Sequence, residues 1–325
     1  MYTKSFIRIV IPFRDQNHEQ RATGSVMSIQ RKIEVAGDYA PPRDDLERVV
    51  ARIRQCESAL IAFSGGVDSS VVAALARRAL GDDAVAVTID NGALRDGEIE
   101  QATATAKAIG IRHILIALDP RDISEVTQND PERCYYCKKL VFGELRGLAD
   151  ELSLNVVMDG TNASDLDAHR PGLKALEELD IVSPLLNFTK DEVRDFAHTL
   201  GLTNADAPSA ACLLTSFPYG TIITPEKVGR LRDAERAVRA LGIAKVKIRD
   251  HNDFARIEVD REEVDKVIMH ASAIAEKFIG LGFAYVTLDL QWLRSGSMDI
   301  LLSKENSQMR DVSSAAHEKS EGRPA

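Results

Sequence analysis

The stretch Ser64-Gly65-Gly66-Val67-Asp68-Ser69-Ser70 brings together residue types that can hold an anion. Two glycines let backbone N–H groups come close to a ligand, and the hydroxyls of Ser64, Ser69 and Ser70 add donors. The apolar run Ala59 to Phe63 before it reads as a short buried strand, and an apolar helical pattern follows from Val71 to Leu80. A strand turning through glycines into a helix aims the positive end of the helix dipole at the same spot. Asp68 would repel a bare phosphate, so it implies a cation between the two, expected to be Mg²⁺. No Gly-Lys-Ser/Thr string occurs in the chain, which removes the Walker A loop as an explanation. Two glycines alone would be an ordinary turn; the whole string after an apolar strand points to nucleotide phosphate.

Thiols form the second group. Cys134-Tyr135-Tyr136-Cys137 follows a loop rich in Asp, Asn and Pro. At a loop-to-helix junction two such sulfurs can converge on one metal, and the helix N-terminus is expected to lower their pKa. Cys212, in an irregular stretch, offers a third thiolate. A zinc site wants a fourth ligand, yet none of the seven histidines makes a closely spaced pair. Three thiolates are one short of closing a [4Fe–4S] cluster, and the vacancy could hold an exogenous sulfide. Spacing leaves cluster, zinc, redox or sacrificial thiol, and no special role all open. Cys56 lies in the apolar stripe of Leu46, Val49, Val50 and Ile53, where a thiol packs as a small hydrophobe.

These residues need a scaffold. Apolar strand patterns at Ala84 to Asp90, Ile111 to Leu118 and Asn155 to Asp159 alternate with helical ones at Asp96 to Ile109 and Lys138 to Leu152. That alternation predicts an α/β fold with a parallel sheet covered on both faces. Ligands bind such sheets beyond the carboxyl ends of the strands, which sets the phosphate loop, Asp90-Asn91 and Asp159-Gly160-Thr161-Asn162 along one rim. Thr189-Lys190-Asp191-Glu192 is a capping box for a helix ending at Gly201. After irregular residues Ala205 to Thr224, a helix to Leu241, strands at Lys245 to Arg249 and Ala255 to Val259, a helix from Glu262 to Ile279 and a strand from Tyr285 to Leu290 predict a smaller α+β unit. The expected division is an N-terminal extension (1–43), a nucleotide domain (44–205), a C-terminal α+β domain (206–302) and a disordered tail (303–325).

Composition narrows the class. The 325 residues hold 41 basic and 50 acidic side chains, a net charge of −9 that argues against a nucleic-acid surface. Four cysteines are no disulfide framework, no apolar run is long enough to span a membrane, and Arg8 interrupts the first apolar run, against a secretory signal. A cytoplasmic protein is expected.

The phosphate-loop string resembles the PP-loop of the ATP pyrophosphatases, which split ATP between its α and β phosphates. Taken with Tyr135-Tyr136, Lys138-Lys139, Asp159-Gly160, Arg170-Pro171-Gly172, Phe217-Pro218-Tyr219-Gly220, His251-Asn252-Asp253, Ala255-Arg256-Ile257-Glu258, Tyr285 to Leu290 and Arg294-Ser295-Gly296, it resembles the LarE family of ATP-dependent sulfur transferases, from about Leu46 to about Leu302. The resemblance implies ATP and Mg²⁺, adenylylation of a carboxylate on a pyridinium mononucleotide, and sulfur delivered either from a sacrificed cysteine or through a three-cysteine [4Fe–4S] cluster. Cys134, Cys137 and Cys212 match the cluster pattern. It further implies that Lys247 and Arg249 receive a substrate phosphate; strand alternation sets both on one face. Glu235 and Glu258 match acidic positions near that site that could hold a cation. A homo-oligomer is expected, with the sulfur donor unidentified. One departure is Ser216, where the family commonly has Arg. A tRNA-thiolating enzyme, an ammonia-dependent ligase and a non-catalytic nucleotide-binding protein are the competing readings.

Overall fold

A computed structural model describes residues 42–166, 170–208, 211–294 and 296–300. The expected N-terminal extension, but for its last two residues, and the C-terminal tail lie outside the described residues. The first unit is a parallel sheet in the order β3-β2-β1-β4, built from β1 (Ala59–Ala62), β2 (Ala84–Asp90), β3 (Arg112–Ala117) and β4 (Val156–Met158). A single parallel bridge, Met158 to Val182, extends the β4 edge. The α/β class expected from the strand–helix alternation is observed.

Each strand sends alternate side chains to opposite faces, and β1 shows the result: Ala59 and Ile61 join one core while Leu60 joins the other. On the first face lie α1 (Pro42–Arg54), α2 (Val67–Leu80), α3 (Glu98–Ile109) and α7 (Lys190–Thr199), through Leu46, Val50, Val71, Leu75, Ala106 and Phe196. On the second lie α5 (Arg133–Glu151) and α6 (Gly172–Glu178), through Phe142, Leu145 and Leu176; the short α4 (Ser124–Thr127) precedes them. Each such buried aliphatic or aromatic side chain contributes about 1.5–3 kcal/mol. Cys56 packs half-buried against the first core, and burial raises its thiol pKa.

The second unit contains α8 (Pro225–Ala240), β5 (Val246–His251), β6 (Phe254–Val259), α9 (Val264–Met269), α10 (Ala271–Gly280) and β7 (Tyr285–Leu288). Its sheet runs β5-β6-β7, antiparallel then parallel. The helix expected from Glu262 to Ile279 is broken at His270, and the turn there lets Val267 of α9 and Ile274 and Phe278 of α10 face one core. Ala93, from the loop after β2, and Val126, from α4, are buried in that same core. The two units therefore share a packed seam.

Candidate active site

β1 lies between β2 and β4, so the strand order reverses beside it and a crevice opens beyond its carboxyl end. The phosphate loop occupies that crevice. Gly66 is the N-cap of α2, which begins at Val67, earlier than the apolar pattern predicts, so the loop leads straight into the helix's free N–H groups. Gly65 has φ +74°, and a Cβ there would lie 2.7 Å from the Ala102 Cα. Glycine is demanded twice, by conformation and by space. Ser64 and Ser69 hold the turn: the Ser64 N–H donates to Ser69 Oγ (3.2 Å), the Gly66 N–H to Ser64 Oγ (3.3 Å), and Ser69 Oγ to the Gly66 carbonyl (3.1 Å). Ser70 is fully buried behind the loop and accepts from Asn204 Nδ2 (2.9 Å), which also donates to the Gly65 carbonyl (2.8 Å). Asn204 is thus a brace from the end of the first unit, in a segment without any sequence signal.

Asp68, half-exposed in the first turn of α2, pairs with Lys190 Nζ and receives Asn162 Nδ2 at 3.4 Å. Lys190 opens α7 through the Thr189/Glu192 capping box, and in the sequence it shows only as part of that box. The ammonium offsets the charge of the carboxylate. Beyond β4, Asp159 is buried and accepts from the Thr161 hydroxyl, the Thr161 N–H (3.3 Å) and Ser183 Oγ (2.6 Å). Gly160 touches the phosphate loop so closely that a Cβ would stand 2.9 Å from the Ser69 nitrogen. At the β2 end, Asp90 closes a turn by accepting from the Gly92 N–H (3.0 Å).

The helix bearing the thiols starts at Arg133, so Cys134 and Cys137 sit one turn apart inside α5 and not ahead of it. At Cys137 the neighbourhood overturns the expectation of a lowered pKa. Burial pushes Cys137 up to about 12, with repulsion from charge on Cys212 and Cys134 adding to it, and Lys138 and Arg133 offsetting only part. Cys212 is exposed as a residue but flanked by protein, which raises its thiol pKa too, with Cys134 contributing. Desolvation outweighs the helix dipole because the dipole's effect is small beside removal of water. The three thiols are near enough to feel one another's charge. Among the described residues, however, no group of three or more His, Cys, Asp or Glu side chains is closed tightly enough to hold a metal ion. Burial lowers the pKa of half-buried Lys138, and the charge of Arg170 adds to this, while Asp159, Asp165 and Cys134 raise it.

In the second unit Lys247 and Arg249 share a face of β5. Arg249 is buried and donates through Nε (3.0 Å) and Nη2 (2.9 Å) to Glu258, which also pairs with Arg256 (2.9 Å). Lys247 is half-buried; burial, then Arg249, lowers its pKa. Glu235 is buried and engaged by Arg95 and, at 3.3 Å, by Arg239. Both glutamates thus face guanidinium groups. Arg95, from the loop after β2, also donates to the carbonyl of Ala211 beside Cys212. Arg232 of α8 grips the same loop at the carbonyls of Leu94 (2.8 Å) and Gly92 (3.0 Å). No sequence signal marks Arg95, since its partner lies 140 positions away. Ser216 is buried.

Among the described residues no helix is long and apolar enough to cross a membrane. The asparagine synthase family profile matches residues 43–143. The chain is 40% identical over 267 residues to an uncharacterized protein of Synechocystis sp., covering 80% of this chain and all of that one. It is 35% identical over 259 residues to the pyridinium-3,5-bisthiocarboxylic acid mononucleotide synthase of Lactiplantibacillus plantarum, covering 79% of this chain and 94% of that enzyme. A shorter likeness, 36% over 175 residues, joins it to one component of the glutamine-hydrolyzing GMP synthase of Methanothermobacter thermautotrophicus, covering 50% of this chain and 56% of that component. A PP-loop sheet followed by an α+β unit, matched along its length by a sulfur-inserting synthase, makes this chain a member of the LarE family of ATP-dependent sulfur transferases.

Proposed function

We propose that the protein adenylylates a carboxylate of a pyridinium biscarboxylic acid mononucleotide with ATP and replaces an oxygen of that carboxylate by sulfur, in the making of a nickel-pincer cofactor. The observation that carries the reading is Arg95, which stands in the loop leaving the nucleotide rim at Asp90 and donates to the Ala211 carbonyl beside Cys212. Activation and sulfur delivery then share one cleft. In the first step a carboxylate oxygen attacks the α-phosphorus of ATP, forming the acyl adenylate and expelling pyrophosphate. The backbone N–H groups of Ser64 to Ser69 and the α2 dipole stabilise the leaving anion. Asp68 would hold Mg²⁺ once Lys190 yields, and the ion supplies charge neutralisation on the phosphates. In the second step a sulfur nucleophile adds to the acyl carbon and AMP departs, a far better leaving group than oxide. Lys247 and Arg249 would seat the substrate phosphate, with Glu258 fixing the Arg249 fork. Positioning and charge supply the catalysis, and no acid–base dyad is required.

The donor set fits a cluster in kind: three thiols from two segments, mutually coupled, with charged Arg133 and Lys138 beside them. Cys134, Cys137 and Cys212 would hold a [4Fe–4S] cluster, which when bound supplies the sulfur to be transferred. Deprotonation of Cys137 and Cys212, whose pKa values burial raises, would accompany metal binding. Self-association is supported by exposed Ile268, Met269 and Ile279, and by the exposed Phe254–Tyr285 stack (4.5 Å).

Two measurements test the reading. Pyrophosphate release should require the mononucleotide carboxylate, and its absence with the dicarboxylate would defeat the adenylylation. Anaerobically purified protein should hold about four irons with acid-labile sulfide per chain, lost in Cys137→Ser. Zinc in their place would overturn the cluster, and full activity of Cys134→Ala would favour an ammonia-dependent ligase.

A further inference from the structure

Between α3 and the segment from Leu200 to Ala207 lie two hollows, of about 310 Å³ and about 580 Å³. They share Thr105, Ala108 and Thr203, so they are two stretches of one trough. One end is walled by Ile109, Leu200 and Leu202, with Arg77 and Arg78 of α2 beside them. The other is walled by Ala104, Asn204 and Ala207, with Asp206. The trough thus has an apolar lining, two cations at one end and a carboxylate at the other. Arg77 pairs with Asp82, Arg78 with Glu47 and Asp206 with His198, all at the surface, and the Asp206 side chain is 87% exposed. Such surface pairs are weak, and each charge can take a second partner.

Both walls bear on the phosphate loop. Ala102 of α3 lies against Gly65, and Asn204 Nδ2 donates to the Gly65 carbonyl and to Ser70 Oγ. Asn204 Oδ1 is buried and has no hydrogen-bond partner among the described residues, which leaves one acceptor for whatever fills the trough.

The occupant is indicated by where the chain enters the fold. Glu47 of α1 pairs with Arg78, and α1 begins at Pro42, about 7.5 Å along the helix from Glu47. The residues before Pro42 therefore join the fold near the Arg78 end of the trough. Read back from there, the sequence passes a six-residue spacer, residues 36–41, and then Val35, Glu34, Ile33 and Lys32. Six extended residues reach about 20 Å, enough to clear the rim. The trough follows α3 from Ile109 to Gln101, about 12 Å, and four extended residues cover about 13 Å. In an extended run Ile33 and Val35 share one face, while Lys32 and Glu34 share the other. Entering from the Arg78 end, Glu34 meets the two guanidinium groups first and Lys32 follows toward Asp206. The order of charges along the chain matches the order along the trough.

We propose that residues 32–35 of this chain dock in the trough as an extended strap, with Glu34 against Arg77 and Arg78, Lys32 toward Asp206, and Ile33 and Val35 on the apolar lining. The strap holds α3 and Asn204 onto the phosphate loop. It would act on nucleotide binding whichever group the nucleotide activates.

The test is photocrosslinking of the full-length protein carrying p-benzoylphenylalanine in place of Ile33. Illumination should give crosslinks within one chain to peptides that hold residues 104–109 or 200–207. Adding Ala108→Arg, which fills the middle of the trough, should cut that yield roughly fivefold or more; if that protein does not fold, Ala104→Arg is read in the same way. Asp206→Lys should lower the yield about threefold, and Lys32→Glu in the same chain should restore it. Restoration separates docking from loss of the His198 pair, which both variants share. Ile33→Asp/Val35→Asp should speed hydrogen exchange at residues 64–70 and 200–207 by about tenfold. Crosslinks mapping elsewhere on the chain, crosslinks joining two copies in a mixture of labelled and unlabelled protein, full yield in the arginine variants, or unchanged exchange would each overturn the strap. None of these readouts needs turnover, so they stand apart from any failure of sulfur transfer.

Discussion

Replacing Gly160 by Ala should damage the nucleotide site from behind, by pressing on the backbone of Asp68 and Ser69 in the phosphate loop. A methyl there would sit 2.9 Å from the Ser69 nitrogen and 3.0 Å from both the carbonyl carbon and the Cβ of Asp68. The shortest falls 0.5 Å below the 3.4 Å at which ordinary contact begins, and two of the three atoms are backbone. Neither side can retreat freely. Gly160 follows β4 and Ser69 follows β1, and these strands are hydrogen-bonded in register through Ile61 and Met158. The strain therefore falls on the first turn of α2 and its loop. Overpacking of this kind costs about 1–3 kcal/mol, or roughly 2–10 °C in Tm for a chain of this size. A misplacement of about 1 Å can cost on the order of 100-fold in rate, so half of that predicts about tenfold in kcat/KM for pyrophosphate formation. Gly147→Ala is the matched control: it lies in α5 with nothing within 4 Å of the added carbon, and should stabilise by about 0.5–1 kcal/mol with unchanged turnover. The assay is thermal unfolding alongside substrate-dependent pyrophosphate release. A Gly160→Ala protein matching wild type in both would refute the close approach of β4 to the phosphate loop.

Arg95→Met should cost about 3–5 kcal/mol in urea unfolding, since it leaves the buried Glu235 with Arg239 alone, while Arg95→Met/Glu235→Leu should recover most of it; equal losses in single and double variants would show that the pair itself does not matter. Lys190→Met removes the ammonium that competes for Asp68, leaving Asn162 as its neighbour, so Mg²⁺ should bind roughly fivefold to tenfold more tightly by calorimetry; unchanged or weaker binding would remove the competition argument. His113 is held neutral: burial lowers its pKa below the ordinary 6.5, and Nε2 lies 2.8 Å from the Thr88 hydroxyl. Between the lowered folded value and 6.5 the unfolded chain binds more protons, so this contribution is complete above 6.5 and is lost as pH falls through that window. His113→Asn should flatten the acid limb of the urea midpoint, and an unaltered limb would assign the slope to other groups.

Much of the first unit is legible in periodicity, because parallel strands buried on both faces are continuous apolar runs and their crossover helices are amphipathic. The phosphate loop is legible for the same reason that it works: only glycine permits Gly65 its positive φ and its contact with Ala102. The apolar pattern places two helix starts late, at Val71 for Val67 and Lys138 for Arg133, because the first turn of each carries functional polar residues that mask it. The thiols mislead for a related reason. A dipole can be inferred from local sequence, whereas the burial that raises the Cys137 pKa comes from packing against the second core, which no local rule reports. Arg95, Lys190 and Asn204 stay hidden because each acts on a residue more than 100 positions away.

The chemistry has two steps, and the seam between the units explains how they stay in register. The loop after β2 leaves the nucleotide rim at Asp90, and Arg232 and Arg236 of α8 grip it at Gly92, Leu94 and Asp96. From the middle of that loop Arg95 reaches Glu235 in one direction and the Ala211 carbonyl, next to Cys212, in the other. A displacement at the nucleotide rim would therefore be felt at the third thiol through one rigid guanidinium. An acyl adenylate hydrolyses unless sulfur arrives promptly, so a fold that ties the activating rim to the sulfur-bearing segment by buried, charge-assisted bonds shortens the exposure of the intermediate to water. By this argument the Arg95–Glu235 pair, which replacement by apolar residues should spare in stability, matters in the ratio of thiocarboxylate formed to ATP consumed. Arg95→Met/Glu235→Leu should fold well and release pyrophosphate while wasting a larger share of ATP. Tight coupling retained in that variant would mean that the two sites are aligned by the shared apolar core alone.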